Sequence, residues 1–177
     1  MKRLLNSLIV AFMSVVLVSC NNQQKQGTTV GFGQQTSVTS PKNDKQELIK
    51  RVVSELNQRL PLAVGYSTNL VEINLTTNTI TYKYEIDDDE VGKELDNSIS
   101  FMKYSSLSQI AHSLKNNIQG NNNRQFYQAL VDCNYGIEIE YHELNTAKRI
   151  AYRISKSEIQ DVLNGKYDDQ PTPEEWE

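Results

Sequence analysis

Two stretches of strict alternation limit what this chain can fold into. Val71, Ile73 and Leu75 alternate with Glu72 and Asn74, and Ile80, Tyr82, Tyr84 and Ile86 alternate with Thr81, Lys83 and Glu85. The pattern returns later: Ile137, Ile139 and Tyr141 against Glu138, Glu140 and His142, then Ile150, Tyr152 and Ile154 against Arg149, Ala151 and Arg153. A period of two places one apolar and one polar face on a strand. A turn at Thr77-Asn78 sets Leu75 against Ile80, Ile73 against Tyr82, Val71 against Tyr84 and Glu72 against Lys83. A turn at Asn145-Thr146 sets Tyr141 against Ile150 and Glu138 against Arg153. A slip of one residue would turn every side chain to the wrong face, so each register is well specified.

Helical spacing surrounds the hairpins. Leu48, Ile49, Val52, Val53, Leu56 and Leu60 form one stripe, starting behind Pro41 or Asp44 and stopped by Pro61. A second helix is predicted from Leu107 to Ile118, with Ser106 and Gln109 as its capping box and Gly120 as its stop. Asn121-Asn122-Asn123 reads as a break. A short helix with Phe126, Tyr127, Leu130 and Val131 follows and ends at Gly136. A last helix starts at Ser155, capped with Glu158, buries Ile159, Val162 and Leu163, and stops at Asn164-Gly165.

A lone hairpin with one apolar face is not stable in water. The economical fold is α+β: a four-stranded antiparallel sheet from two hairpins, with three or four helices on one face, built as two helix-hairpin repeats. Tyr82, Tyr84, Tyr141 and Tyr152 are expected inside, with their hydroxyls reaching the rim.

The N-terminus sets the location. Lys2 and Arg3 precede an apolar run that begins at Leu4 and closes at Leu17-Val18-Ser19-Cys20. This is a secretory signal rather than a spanning helix, and its ending resembles the bacterial lipobox. The resemblance implies cleavage after residue 19 and acylation of Cys20 with a diacylglyceryl group, a lipid anchor in the membrane. The expected organisation is signal 1–19, anchor and flexible tether 20–40, one domain 41–165 and an acidic tail 166–177. The tether is Asn, Gln, Gly, Thr and Ser with little apolar content, and has a reach of about 25 Å. Asn21 after the cysteine and the absence of an acidic run behind it point to the periplasmic face of the outer membrane.

Without its first 19 residues the chain has 16 basic and 22 acidic residues. A net acidic chain with no basic block is a poor nucleic-acid binder. With Cys20 lipidated, Cys133 has no disulfide partner, so a hydrophobic core must hold the fold.

Leu60-Pro61 before the first hairpin, Tyr82-Lys83-Tyr84-Glu85-Ile86-Asp87 running into acidic residues, and Gly136-Ile137 opening a tyrosine-bearing second hairpin occur together. Over about residues 44–160 the chain resembles small envelope lipoproteins of Gram-negative gut and oral bacteria. That family brings no assigned activity.

Candidate chemistry is sparse. Asp87, Asp88, Asp89 and Glu90 lead to Gly92 in the manner of a calcium loop, but Val91 and Ser98 stand where ligands are required. A solvated acidic loop fits better, and no metal or cofactor is expected. Cys133 with His112 or His142 could suggest a nucleophile, yet the thiol falls near a helix C-terminus, where the dipole opposes a thiolate. A small buried residue is the simpler role. Glu138 and Glu140 share one strand face, and paired carboxylates can hydrolyse glycosides; cross-strand ion pairs with Arg149 and Arg153 account for them more simply.

The sequence therefore points to a non-catalytic binding module tethered in the cell envelope, with a protein partner in that compartment. Asp87, Asp88, Asp89, Glu90, Glu138, Glu140, Arg149 and Arg153 are the candidate interaction surface. Two alternatives stand beside it: an inhibitor or immunity protein against an envelope-active toxin or hydrolase, and a hydrolase with an unrecognised site.

Overall fold

The apolar stripe of residues 48–56 becomes α1 (Pro41–Asn57) in the computed structural model of the chain. The structure describes residues 41–65, 67–89, 99–116 and 121–167. Signal, Cys20 and tether lie outside the described residues, as do Glu90, Val91, Gly92, Ser98, Ile118, Gly120 and the tail beyond Tyr167. Ile49, Val52, Val53 and Leu56 of α1 are buried. The chain then runs through β1 (Leu62–Gly65), β2 (Thr68–Leu75), β3 (Thr79–Ile86), α2 (Ile99–Lys115), α3 (Asn121–Asp132), β4 (Gly136–Glu143), β5 (Arg149–Ile154) and α4 (Lys156–Leu163).

Both hairpins form, and nearly every expected pair is present. Leu75 faces Ile80, Ile73 faces Tyr82 and Glu72 faces Lys83, while Tyr141 faces Ile150 and Glu138 faces Arg153. Tyr84 is the exception. Its partner is Leu70 rather than Val71, because β2 bulges between Leu70 and Glu72. A bulge inserts one residue and resets the register beyond it.

The expected four-stranded antiparallel sheet is not what forms. The sheet has five strands in the order β1-β2-β3-β4-β5, and its central pair, β3 with β4, is parallel. The physical reason lies between the hairpins. Leaving β3 at Ile86, the chain crosses the sheet through α2 and α3 and re-enters beside the start of β3, where Gly136 N donates to Asn78 O at 2.9 Å. A helical crossover returns a chain parallel to the strand it left. Alternation fixes which face a residue takes but not the direction of the neighbouring strand. The fifth strand, β1, is only four residues long and shows no alternation. Ahead of its start the side chain of Asn57 takes over the ladder: Nδ2 donates to Ile73 O at 2.9 Å and Oδ1 accepts from Ile73 N at 3.3 Å.

All the helices among the described residues join one core with the inward strand positions. α2 corrects the sequence reading most. It begins at Ile99, eight residues ahead of Leu107, so Ser106 is not its cap. Ser105, Ser106 and Ser108 are instead small residues buried in mid-helix. Ser106 Oγ and Tyr152 Oη are hydrogen bonded at 2.8 Å. Asn121-Asn122-Asn123 opens α3 rather than breaking the chain, and Gly136 opens β4 rather than ending a helix. The turn between α3 and β4 uses Asn134, at φ 65°. α4 has the expected capping box: Ser155 Oγ accepts from Glu158 N and Ser155 N donates to Glu158 Oε2. Its end is at Asn164, followed by Gly165 at φ 85°. Lys103 pairs with Glu158 at 2.7 Å, tying α2 to α4.

The four strand tyrosines are buried as expected, but their hydroxyls do not reach the rim. Tyr84 and Tyr141 stack with ring centroids 5.1 Å apart, and Tyr152 tilts against Tyr141. Burial raises the Tyr152 phenol to about 12, and pushes those of Tyr84 and Tyr141 well above the ordinary range. The Tyr84 hydroxyl has no hydrogen-bond partner among the described residues. An unpaired buried hydroxyl costs about 1–3 kcal/mol, whereas deleting one half of a bonded pair orphans the other. Tyr84→Phe is therefore expected to leave stability unchanged or raise it by about 1 kcal/mol, and Tyr152→Phe to lower it by about the same amount. Chemical denaturation of the full chain measures both; a clear loss from Tyr84→Phe would mean that its hydroxyl is bonded.

Candidate functional site

The polar residues of β2 to β5 form the face of the sheet that none of the described helices covers, its open face, in three rows that run across the strands. The middle row is Glu72, Lys83, Glu140 and Ala151. On one side of it lie Asn74, Thr81, Glu138 and Arg153, and on the other Asn69, Glu85, His142 and Arg149. Each row exists because two hairpins of fixed register are joined at β3 and β4. The parallel pair brings Lys83 beside Glu140 and Glu85 beside His142.

Charge sets the geometry of this face. Lys83 Nζ meets Glu72 Oε2 at 2.9 Å. The Lys83 hydrogen bond, with a smaller one from Asn74, holds the Glu72 carboxyl below its usual range. The same bond to Glu72 holds the Lys83 ammonium above its own. Glu140 and Arg149 make no ion pair among the described residues, although both act on Lys83 through space.

The expected ion pair between Glu138 and Arg153 does not close, even though the two are opposite in register. Glu138 Oε2 accepts from Thr81 Oγ1 at 3.3 Å, and Arg153 Nη2 donates to Thr79 Oγ1 at 3.1 Å. Gly136 allows this. A Cβ at that position would lie 3.1 Å from Arg153 Nε and 3.1 Å from Ile154 O. The guanidinium therefore lies across the space above the glycine, away from Glu138.

A hollow of about 440 Å³ opens in the face, with Glu72, Lys83, Glu140, His142 and Arg149 as its walls and Ala151 at its edge. The hollow reaches across all four strands, from Glu72 on β2 to Arg149 and Ala151 on β5, and Ala151 is the one short side chain in the middle row. A second concavity of about 480 Å³ lies on the helix side between α1 and α3, around Leu48 and Ala129, with Lys45 and Asp132 paired close by.

The candidate interaction residues thus fall in two places. Glu138, Glu140, Arg149 and Arg153 share the open face. Asp87, Asp88 and Asp89 lie past the end of β3, and Glu90 is outside the described residues. Asp87 N donates to Ser67 O at 2.9 Å, and Asp87 Oδ1 accepts from Asn145 Nδ2 at 3.4 Å. Among the described residues no group of three or more His, Cys, Asp or Glu could hold a metal ion. Cys133 is buried, 3.9 Å from Lys42 O, and burial raises its thiol. His112 is exposed and bonded to Asn116 at 2.9 Å. No described helix is long and apolar enough to cross a membrane.

One functional group escaped the sequence reading. Glu143 is fully buried at the end of β4 and organises the turn to β5. Its carboxylate accepts from the Thr146 hydroxyl, from Thr146 N at 2.6 Å and from Asn145 N at 2.7 Å. The alternation continues through His142 to Glu143, and an acid at an inward position was the available signal.

No protein-family model matches the chain, and no curated protein matches its sequence. Among solved structures, one from Pseudomonas aeruginosa, of a protein predicted to be secreted, aligns over 68% of this chain and 98% of its own. The TM-score is 0.48 and the identity 15%.

The bonds to Glu143, led by the Thr146 hydroxyl, lower its carboxyl from the usual range. A depressed carboxyl contributes stability above its unfolded value, and that contribution is lost as pH falls through the folded value. Stability is expected to fall as pH drops below the ordinary glutamate range of about 4.3, and Glu143→Gln to flatten that part of the profile. Denaturation midpoints of the two chains between about pH 6 and 3 measure this; an unchanged acid limb in the variant would contradict the assignment.

Proposed function

We propose that the chain is a non-catalytic binding module, lipid-anchored through Cys20 in the cell envelope and held at the periplasmic face of the outer membrane. The open face of its sheet is the docking surface. The observation that carries this reading is the one-sided architecture. Helices cover the tyrosine-bearing face, and the opposite face presents ordered rows of charge around a hollow of about 440 Å³. Unlike charges held on a rigid sheet favour a specific partner and exclude wrong ones, because a like-charge contact is costly. The lipobox-like ending at Cys20 supports the anchor, and the polar stretch of residues 21–40 would let the domain turn its face towards a partner.

The inhibitor or immunity reading uses another surface, the exposed Asp87 and Asp89 at the end of the sheet. The two readings place a partner differently, and crosslinking separates them. A photo-crosslinking side chain placed in intact cells at Ala151 is expected to give strong adducts, and one at Ser54, exposed on α1, few. Replacing Cys20 with alanine is expected to release the chain from the membrane fraction and to weaken the Ala151 adducts. Adducts equally strong at both positions, or concentrated at Asp89, would refute docking through the sheet face.

A further inference from the structure

We infer that the open sheet face pairs with the same face of a second copy of this chain. The inference rests on the docking role proposed above and names the occupant.

The argument is one of symmetry. A two-fold axis running along the strands between β3 and β4 places β2 over the partner copy's β5, and β3 over its β4. Such an axis preserves height along the strands, so each row meets itself reversed. In the middle row Lys83 then faces Glu140 of the other copy, and Glu72 stands over the gap at Ala151. In the neighbouring row Glu85 faces His142. No like charges are set opposite one another in these rows. The axis repeats every contact, so each is made twice.

Two features fit this occupant. Glu140 lacks an ion-pair partner among the described residues, and the operation supplies it with a lysine. Across the axis Glu72, whose side chain is about half exposed, stands over Ala151, the one short side chain of the middle row, so the projecting acid meets no bulky group there. Face-to-face sheets pack about 10 Å apart, a spacing that such side chains span. Their strands cross at about 30°, which leaves the central contacts near the axis in place.

Size sets the strength. Four strands about 4.8 Å apart, over three rows, cover roughly 400 Å² on each copy. The total of about 800 Å² falls below the 1,200–2,000 Å² of stable complexes. The pair is therefore weak, wet and sensitive to salt, and confinement to a membrane would favour it.

The test is sedimentation equilibrium of the full chain in density-matched detergent. At about 200 µM chain and 20 mM salt a dimer is expected, which dissociates at about 500 mM salt. Lys83→Glu and Glu140→Lys should each weaken self-association by about tenfold or more, with folding checked by circular dichroism. Mixed in equal amounts, the two variants should pair about as well as wild type, since each supplies the charge that the other lacks. A wild-type chain that stays monomeric at low salt, a dimer indifferent to salt, or single variants that dimerise like wild type would overturn the inference. So would a mixture that fails to recover. A monomeric wild type that still gives Ala151 adducts with a different protein would overturn the two-fold pairing while leaving the docking face standing.

Discussion

The parallel ladder between β3 and β4 is the interaction on which the rest depends. Without it the chain has a three-stranded unit, β1 to β3, and a separate two-stranded hairpin, β4 with β5, whose apolar face is too small to stand alone. With it, eight consecutive residue pairs from Thr79–Gly136 to Ile86–Glu143 fuse the hairpins into one sheet. The join stacks Tyr84 on Tyr141 inside and sets Lys83 beside Glu140 outside. Core and candidate docking face are therefore two consequences of one pairing. The crossover that makes the pair parallel also carries α2 and α3 over one face, and no described helix covers the other.

Much of this was legible in the residues, and the failures have identifiable causes. Both hairpin registers could be read because alternation and short turns constrain each other; the one error, Val71 for Leu70, comes from a bulge that an apolar-polar pattern cannot register. Direction between hairpins was not legible. Pairing Tyr84 with Tyr141 buries the same groups whichever way β4 runs, and only the path of the intervening chain decides. α2 was read too short because Ser106 with Gln109 looks like the capping box of a helix start. A buried tyrosine hydroxyl changes the meaning of that serine: a serine at a core position can answer a phenol, as Ser106 answers Tyr152. β1 was missed because four residues carry no period.

The candidate surface was partly legible for the same reason. Glu138, Glu140, Arg149 and Arg153 share a face by parity alone, so the sequence brings them together. Their contacts were less accessible. Arg153 turns to Thr79 because position 136 has no side chain to block it, a consequence of a glycine on a neighbouring strand. Ala151 was visible only as a short residue among charged ones. Glu143 shows the reverse case, an acid on the inward side of a strand whose charge is met by the amides and the hydroxyl of the following turn.

The central claim is that β3 and β4 lie side by side and run in the same direction. Nuclear Overhauser contacts between their backbone protons test it most directly. The account predicts contacts that advance together along both strands, from Thr81 with Glu138, through Lys83 with Glu140, to Glu85 with His142. Contacts that run in opposite directions, or none between the two strands while each hairpin keeps its own, would contradict it and would remove the open face with it.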